Sequence, residues 1–224
     1  LYYVDVYFRI EQIKVENLEV ETAEALASSG IINKGERIMF FQEQEIKARV
    51  TSQFPDIKNL EISRQLPDTI VIYGEKRIPV AYVMTADGFW LMDNNTVCFD
   101  YRAEVDKDYP LISGIDGSLV YPGVPLACKE RKAVLQSFFD ASQGEDWLSI
   151  ERMDLSSSHN LKVYTAEDLE IWLGDEKEMN QKLLLVEKSL AYIDEIVDSH
   201  LDVRCGNRLI VSGSAKINEK EVFP

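Results

Sequence analysis

The stretch Arg64-Gln-Leu-Pro-Asp-Thr-Ile-Val-Ile-Tyr-Gly-Glu-Lys-Arg-Ile-Pro-Val-Ala81 restricts the fold more than any other part of the chain. Apolar residues alternate on both sides of Pro67-Asp68, with Leu60 and Ile62 before it and Ile70 and Ile72 after it. Successive side chains of a strand point to opposite faces, and Pro-Asp is turn chemistry. The pattern therefore predicts a hairpin with one buried face. After Glu75 come a cluster of charge, Pro79, and a new apolar run from Val80 to Met84, so one folding unit closes here and another begins. No Gly/Ser-rich spacer separates them, which predicts a stiff passage between units.

Upstream, residues 7–18 carry β-branched residues and alternate from Ile13 to Val15, which predicts a strand. A short helix is expected from Ala23 to Ser29, capped by Thr22 and stopped by Gly30 at the left-handed C′ position. A longer helix is expected from Glu36 to Gln53. Ile46, Val50 and Phe54 form its apolar face, Glu43–Lys47 and Glu45–Arg49 stand at ion-pair spacing, and Pro55 ends it. Strand–helix–helix–strand–strand within this length predicts a three-stranded sheet with two helices on one face.

Beyond Ile78 the texture changes to short strands punctuated by turns. Pro79–Met84 and Phe89–Met92 flank Asp87-Gly88, a strong hairpin signal, and Asp93-Asn94-Asn95-Thr96 turns the chain into Val97-Cys98-Phe99. Tyr109–Ile112 is another short apolar piece, and Tyr121–Pro125 reads as loop. Ala127–Ser142 reads as a helix, followed by strand candidates Leu148–Leu155, Leu161–Thr165 and Leu169–Leu173. The longest helix is expected from Gly174-Asp175 to Val197, because Met179, Leu183, Val186, Leu190, Ile193 and Val197 recur at spacings of four and three. Leu201–Arg204 and Leu209–Val211 close the chain before a polar tail. The fold class is α+β: a small domain over residues 1–76, a mostly antiparallel β domain with two helices over 77–212, and a tail over 213–224 expected to be disordered.

The chemistry to which this composition points is limited. The chain has 224 residues, 24 basic against 39 acidic, for a net charge of −15. Binding phosphates needs clustered Lys and Arg, and no such cluster occurs, so no nucleic-acid partner is expected. No run approaches the roughly 20 apolar residues that span a bilayer. The chain starts at Leu1 rather than Met, which suggests an anchor or signal upstream of it. Cys98, Cys128 and Cys205 are odd in number and widely spaced, which fits neither a disulfide framework nor a zinc site and leaves them as small semi-buried side chains. Trp90, Trp147 and Trp172 read as core residues. The histidines are His159 and His200, and neither G-x-S-x-G nor H-E-x-x-H occurs. His159 beside the serines of Ser156-Ser157-Ser158 is the lean basis for a hydrolase reading. No catalytic residue, cofactor or metal is assigned, and the chain is read as not an enzyme.

An ordered set of short motifs nevertheless resembles one family. Phe8-Arg-Ile-Glu-Gln-Ile-Lys-Val15 is similar to the opening strand of a POTRA domain. Arg64-x-Leu-Pro67-x-Thr-Ile-x-Ile72-x-x-Glu75-x-x-x-Pro79-Val-Ala81 resembles the POTRA exit of FtsQ/DivIB bacterial cell-division proteins. Asp93 with its turn and Val97, Pro110-Leu-Ile-x-Gly114, Gly174 after a strand, Lys182 in a helix, and Leu201-Asp-Val-Arg204 continue the set in the family's order. Two departures stand out. Cys205 takes the place of a Tyr common in Gram-negative members, and Asn95-Thr96 replaces a Gly in the turn after Asp93, with Asn tolerant of the left-handed conformation. They lean towards a DivIB of Gram-positive type.

What the resemblance implies is a non-enzymatic divisome scaffold: a single-pass membrane protein anchored by a transmembrane helix upstream of Leu1, with this region extracytoplasmic at the division septum. Its expected partners are FtsB/DivIC-type and FtsL-type proteins and a septal peptidoglycan synthase. In such proteins the terminal strand of the β domain accepts a strand from the FtsB-type partner. Carried over, the binding residues are Leu209, Ile210 and Val211, with Arg204 on the preceding strand facing an acidic partner residue and Cys205 beside it. A POTRA-bearing component of export or outer-membrane assembly is the alternative, and an extracytoplasmic hydrolase a second.

Overall fold

The computed structural model describes residues 8–106, 108–142, 149–190 and 193–217, with the backbone alone for 193–199 and 214–217. The chain forms two compact units, divided in sequence between Ile78 and Pro79.

In the first unit, β1 (Gln12–Glu16), β2 (Ile57–Gln65) and β3 (Thr69–Lys76) form a sheet of order β1-β3-β2, with β1 parallel and β2 antiparallel to β3. The hairpin around Pro67-Asp68 is present, and Ile62 pairs with Ile72 across it. Helices α1 (Val20–Ser28) and α2 (Glu43–Gln53) contribute Leu26 and Val50 to a core shared with Ile57, Ile62, Ile70 and Ile72. Gly30 at φ +72° follows α1, as its C′ role requires. Two helix boundaries differ from expectation. Thr22 lies inside α1, whose N-cap is Glu19 without a side-chain cap bond. The expected helix over 36–53 is broken: Ile38–Phe40 is a single 3₁₀ turn, the backbone at Phe41 is extended, and α2 starts only at Glu43. Ile38 and Phe41 on either side of the break are both buried in the core of this unit.

The second unit is one nine-stranded sheet of order β12-β11-β10-β9-β8-β7-β4-β5-β6. Its strands are β4 (Pro79–Met84), β5 (Phe89–Asp93), β6 (Cys98–Arg102), β7 (Leu111–Ser113), β8 (Ile150–Asp154), β9 (Leu161–Thr165), β10 (Glu170–Gly174), β11 (Ile193–Asp202) and β12 (Ile210–Ile217). Neighbours are antiparallel except β4–β7, β7–β8 and β10–β11. Helices α3 (Lys129–Ala141) and α4 (Met179–Leu190) cover one face. Their Val134, Leu135, Phe138, Leu183 and Val186 pack on Val83, Met92, Ile112, Val163, Ile171 and Leu201 from the strands. Alternation along β9 and β10 is clean: Leu161, Val163, Ile171 and Leu173 are buried while Lys162, Tyr164, Glu170 and Trp172 face the other way.

Three expectations are corrected here. The helix predicted to reach Val197 ends at Leu190, and Ile193–Asp202 is a strand paired with β10 and β12. The apolar spacing that suggested a longer helix also suits β-branched residues in a strand, and pairing with two distant neighbours decides between them. Likewise Gly174-Asp175 does not open α4. Gly174 ends β10 at φ +78°, and Asp175 instead accepts the fully buried Lys182 ammonium, 3.0 Å to its carboxylate and 2.9 Å to its carbonyl. Finally, residues 213–217 of the expected polar tail belong to β12. Backbone hydrogen bonds to β11 do not require apolar side chains. Residues 218–224, like Trp147, lie outside the described residues.

Candidate functional site

The residues singled out at the end of the chain meet at one edge of the large sheet. Among the described residues β12 pairs on one side only, with β11, so its other side presents backbone N–H and C=O groups outward. The side chains at the start of this strand divide by face. Leu209 and Val211 pack against the core, whereas Ile210 is 54% exposed. Of the three apolar residues predicted for the edge, Ile210 is the one displayed.

Register explains what surrounds Ile210. On the face of the sheet opposite the helices, two cross-strand rows run to the edge. One is Asp154–Lys162–Trp172–Asp202–Ile210 and the other Arg152–Tyr164–Glu170–His200–Ser212. Glu170 Oε1 accepts hydrogen bonds from Trp172 Nε1 (2.7 Å), the Tyr164 hydroxyl (3.0 Å) and Lys162 Nζ (3.2 Å). Burial alone would raise the Glu170 pKa, but these donors outweigh it and hold the carboxyl below its ordinary value. His200 stacks on Trp172 at 4.0 Å and 13°, and the Arg152 guanidinium lies 3.9 Å from the centre of the Tyr164 ring. This face is a rigid polar–aromatic surface rather than a second core.

Arg204 does not occupy the predicted position. β11 ends at Asp202, and Arg204 sits in the turn that follows. Its guanidinium grips Asp202 through Nε (2.9 Å) and Nη2 (2.6 Å) and lies 4.6 Å from the centre of the Trp172 ring. The hydrogen bonds from Arg204 hold the Asp202 carboxyl below the usual range despite partial burial. Cys205 is an exposed free thiol in the same turn. By contrast Cys98 is buried, which pushes its thiol pKa up to about 12, with Asp93 adding to the effect. Cys128 is intermediate, so the semi-buried reading holds for it and fails for Cys205.

A shallow cleft of about 360 Å³ lies next to the turn, lined by His159, Gly174, Asp175, Glu176, Lys177 and Arg204. It mixes both signs of charge. The Ser156 hydroxyl, expected as a possible nucleophile beside His159, donates to Asp154 at 2.6 Å. Among the described residues no group of three or more His, Cys, Asp or Glu is placed to hold a metal. Among the same residues, no helix is long and apolar enough to cross a membrane.

Comparison with known proteins agrees with this architecture. Residues 8–76 match the POTRA domain, FtsQ-type. The cell division protein DivIB of Clostridium acetobutylicum is 26% identical over 160 residues, covering 70% of this chain and 64% of that protein. The cell division protein FtsQ of Syntrophotalea carbinolica is 24% identical over 213 residues, covering 92% of this chain and 74% of that one. The chain is similar to FtsQ/DivIB cell-division proteins over most of its length, and residues 8–76 carry the FtsQ-type POTRA domain. The DivIB of Clostridium tetani is similar as well, 22% identical over 79% of this chain and 68% of its own. The chain thus spans just under two thirds of the C. acetobutylicum protein and somewhat more of the other two. The three-stranded sheet with its two helices is the POTRA domain, and the nine-stranded sheet is the β domain that follows it. Sequence reasoning missed Trp172, His200 and Asp202 as neighbours of the edge. Their alternation along β10 and β11 marked them as one face, but no signal in the sequence placed that face beside β12.

Proposed function

We propose that this chain is a non-enzymatic scaffold of the bacterial division machinery that takes up an extended segment of an FtsB/DivIC-type protein along β12. In this reading residues 77–212 with the rest of β12 are the partner-binding module and residues 1–76 the POTRA module. The complex includes an FtsL-type protein and helps recruit and regulate septal peptidoglycan synthesis, outside the membrane to which the full-length protein is anchored. The observation that carries the reading is the unpaired side of β12 next to exposed Ile210.

Strand addition uses groups that are already in place. Every second residue of the eight in β12 offers its N–H and C=O outward, so an added strand forms about eight new hydrogen bonds. At a net value of about 1 kcal/mol each they barely offset the roughly 4–15 kcal/mol lost on association. Side-chain contact therefore decides whether the complex forms, and Ile210 is the apolar side chain positioned to supply it. Replacing Ile210 with Glu is expected to weaken binding of the same organism's FtsB/DivIC-type ectodomain at least about tenfold while leaving the unfolding midpoint unchanged, since the side chain is exposed. Unchanged affinity in a folded Ile210→Glu variant would remove β12 as the binding edge.

A further inference from the structure

We infer that Arg204 is a positioning residue holding the turn into β12, and that Arg208 is the cation this edge offers to an added strand. The inference rests on the strand-addition reading above and assigns the charge that recognises the partner.

Arg204 is spent within the chain. Its Nε and Nη2 grip both carboxylate oxygens of Asp202, its own backbone N–H donates to Asp202 Oδ1 at 3.1 Å, and its guanidinium lies against Trp172. The stem packs on Gly174, where an added Cβ would come within 2.9 Å of Arg204 Cγ. One residue earlier, Val203 N–H donates to the Trp172 carbonyl at 3.1 Å. The turn is thus tied to β10 through backbone and ring, and to the end of β11 through the ion pair. A carboxylate from another chain would have to compete with Asp202 for a guanidinium already neutralised in a two-point grip.

Arg208 differs on each count. It is exposed, lies two residues before Ile210, and makes no hydrogen bond or ion pair among the described residues. In a chain with a net charge of −15, the only charged residues from Gly206 to Ile217 are Arg208 and Lys216, both basic. A strand whose own charges are basic favours an acidic strand next in the ladder, since opposite charges across neighbouring strands stabilise and like charges repel. The partner segment that fits is therefore extended, acidic near its contact with Arg208, and apolar opposite Ile210.

Two measurements separate the roles. Binding of the FtsB/DivIC-type ectodomain is followed across a range of salt concentrations for wild type, Arg208→Gln, Arg204→Gln and Arg204→Lys, and amide exchange over residues 203–212 is followed without partner. Arg208→Gln should lower affinity about threefold to fivefold, flatten the salt dependence and leave exchange unchanged. Arg204→Gln should speed exchange and keep the wild-type salt slope, with Trp172→Ala reproducing its effect and Arg204→Lys intermediate, because an ammonium grips one oxygen rather than two. A flattened slope for Arg204→Gln with none for Arg208→Gln would overturn the assignment, as would unchanged exchange in Arg204→Gln. If wild type fails to bind at all, the strand-addition reading and the role of Arg208 fall together, and exchange alone decides whether Arg204 holds the turn.

Discussion

The two ends of the nine-stranded sheet treat the same structural problem in opposite ways. At the β6 end the chain itself covers the start of the edge: Gly123 N–H donates to the Cys98 carbonyl at 2.8 Å, Leu126 N–H to the Thr96 carbonyl at 3.0 Å, and Val97 bridges Pro125. Both faces are covered there, by the main core on one side and by Tyr82, Leu91 and Phe99 with Tyr109 on the other. At the β12 end the helices cover one face only, the other carries the Trp172–His200 surface, and the edge is open among the described residues. An edge left unpaired is an aggregation hazard unless something restricts what can add to it. Here β12 offers, among its described side chains, exposed Ile210 with basic charge flanking it in sequence, which accept some strands and reject others.

The turn at the β6 end provides the largest test of this contrast. Asp93 is buried, and its Oδ1 accepts the N–H groups of Asn95 (3.0 Å) and Val97 (2.9 Å). Asp93→Ala should lower unfolding free energy by about 2–4 kcal/mol in denaturant titrations, because those donors lose their acceptor. Partner affinity per folded molecule should not change. A parallel loss of affinity would mean that the two ends do not act separately. Next in size is the binding loss of at least about tenfold expected for Ile210→Glu, which touches the open end alone.

Smaller effects sharpen the picture at the open end. Gly174→Ala combines a φ of +78° with a clash against the Arg204 stem and should cost about 1 kcal/mol, measured as a lowered midpoint, with faster exchange in the following turn. The smallest effect is a pH dependence. The folded pKa of Asp202 is depressed by Arg204, and that of Asp175, raised by burial, is depressed on balance by Lys182. A depressed carboxyl contributes stability that is complete above its unfolded value, about 3.9, and that is lost as pH falls through the lower folded value. Protection of the amides in the turn after β11, taken relative to their intrinsic exchange rates, should therefore fall below about pH 4, and Asp202→Asn should remove that acid sensitivity. An acid loss of protection that persists in Asp202→Asn would assign it to another group.

How far the sequence reveals this arrangement depends on the range of the interactions involved. The Pro67-Asp68 hairpin, the Asp87-Gly88 turn and the alternation of β9 and β10 are local, and each was visible in residue order. At the turn after Asp93 the local reading erred in one respect: the left-handed residue is Thr96, at φ +62°, rather than Asn95. The two bonds to Asp93 Oδ1 hold that β-branched residue in a conformation it would not choose alone. The strand over Ile193–Asp202 and the extension of β12 to Ile217 depend on partners distant in sequence, and backbone pairing leaves little mark in composition.

The same division runs through the candidate site. Residue order alone determined that a short apolar run, Leu209–Val211, follows a charged turn. Tertiary structure decided which of those side chains is displayed, because the pairing of Val211 with Leu201 turns Val211 inward and Ile210 outward. It also decided that Arg204 serves the chain's own turn, since Asp202, Trp172 and Gly174 converge on it from two strands. Asp202 lies two residues from Arg204 and could be read as its partner from residue order, but only the packed sheet brings Trp172 and Gly174 against the same side chain.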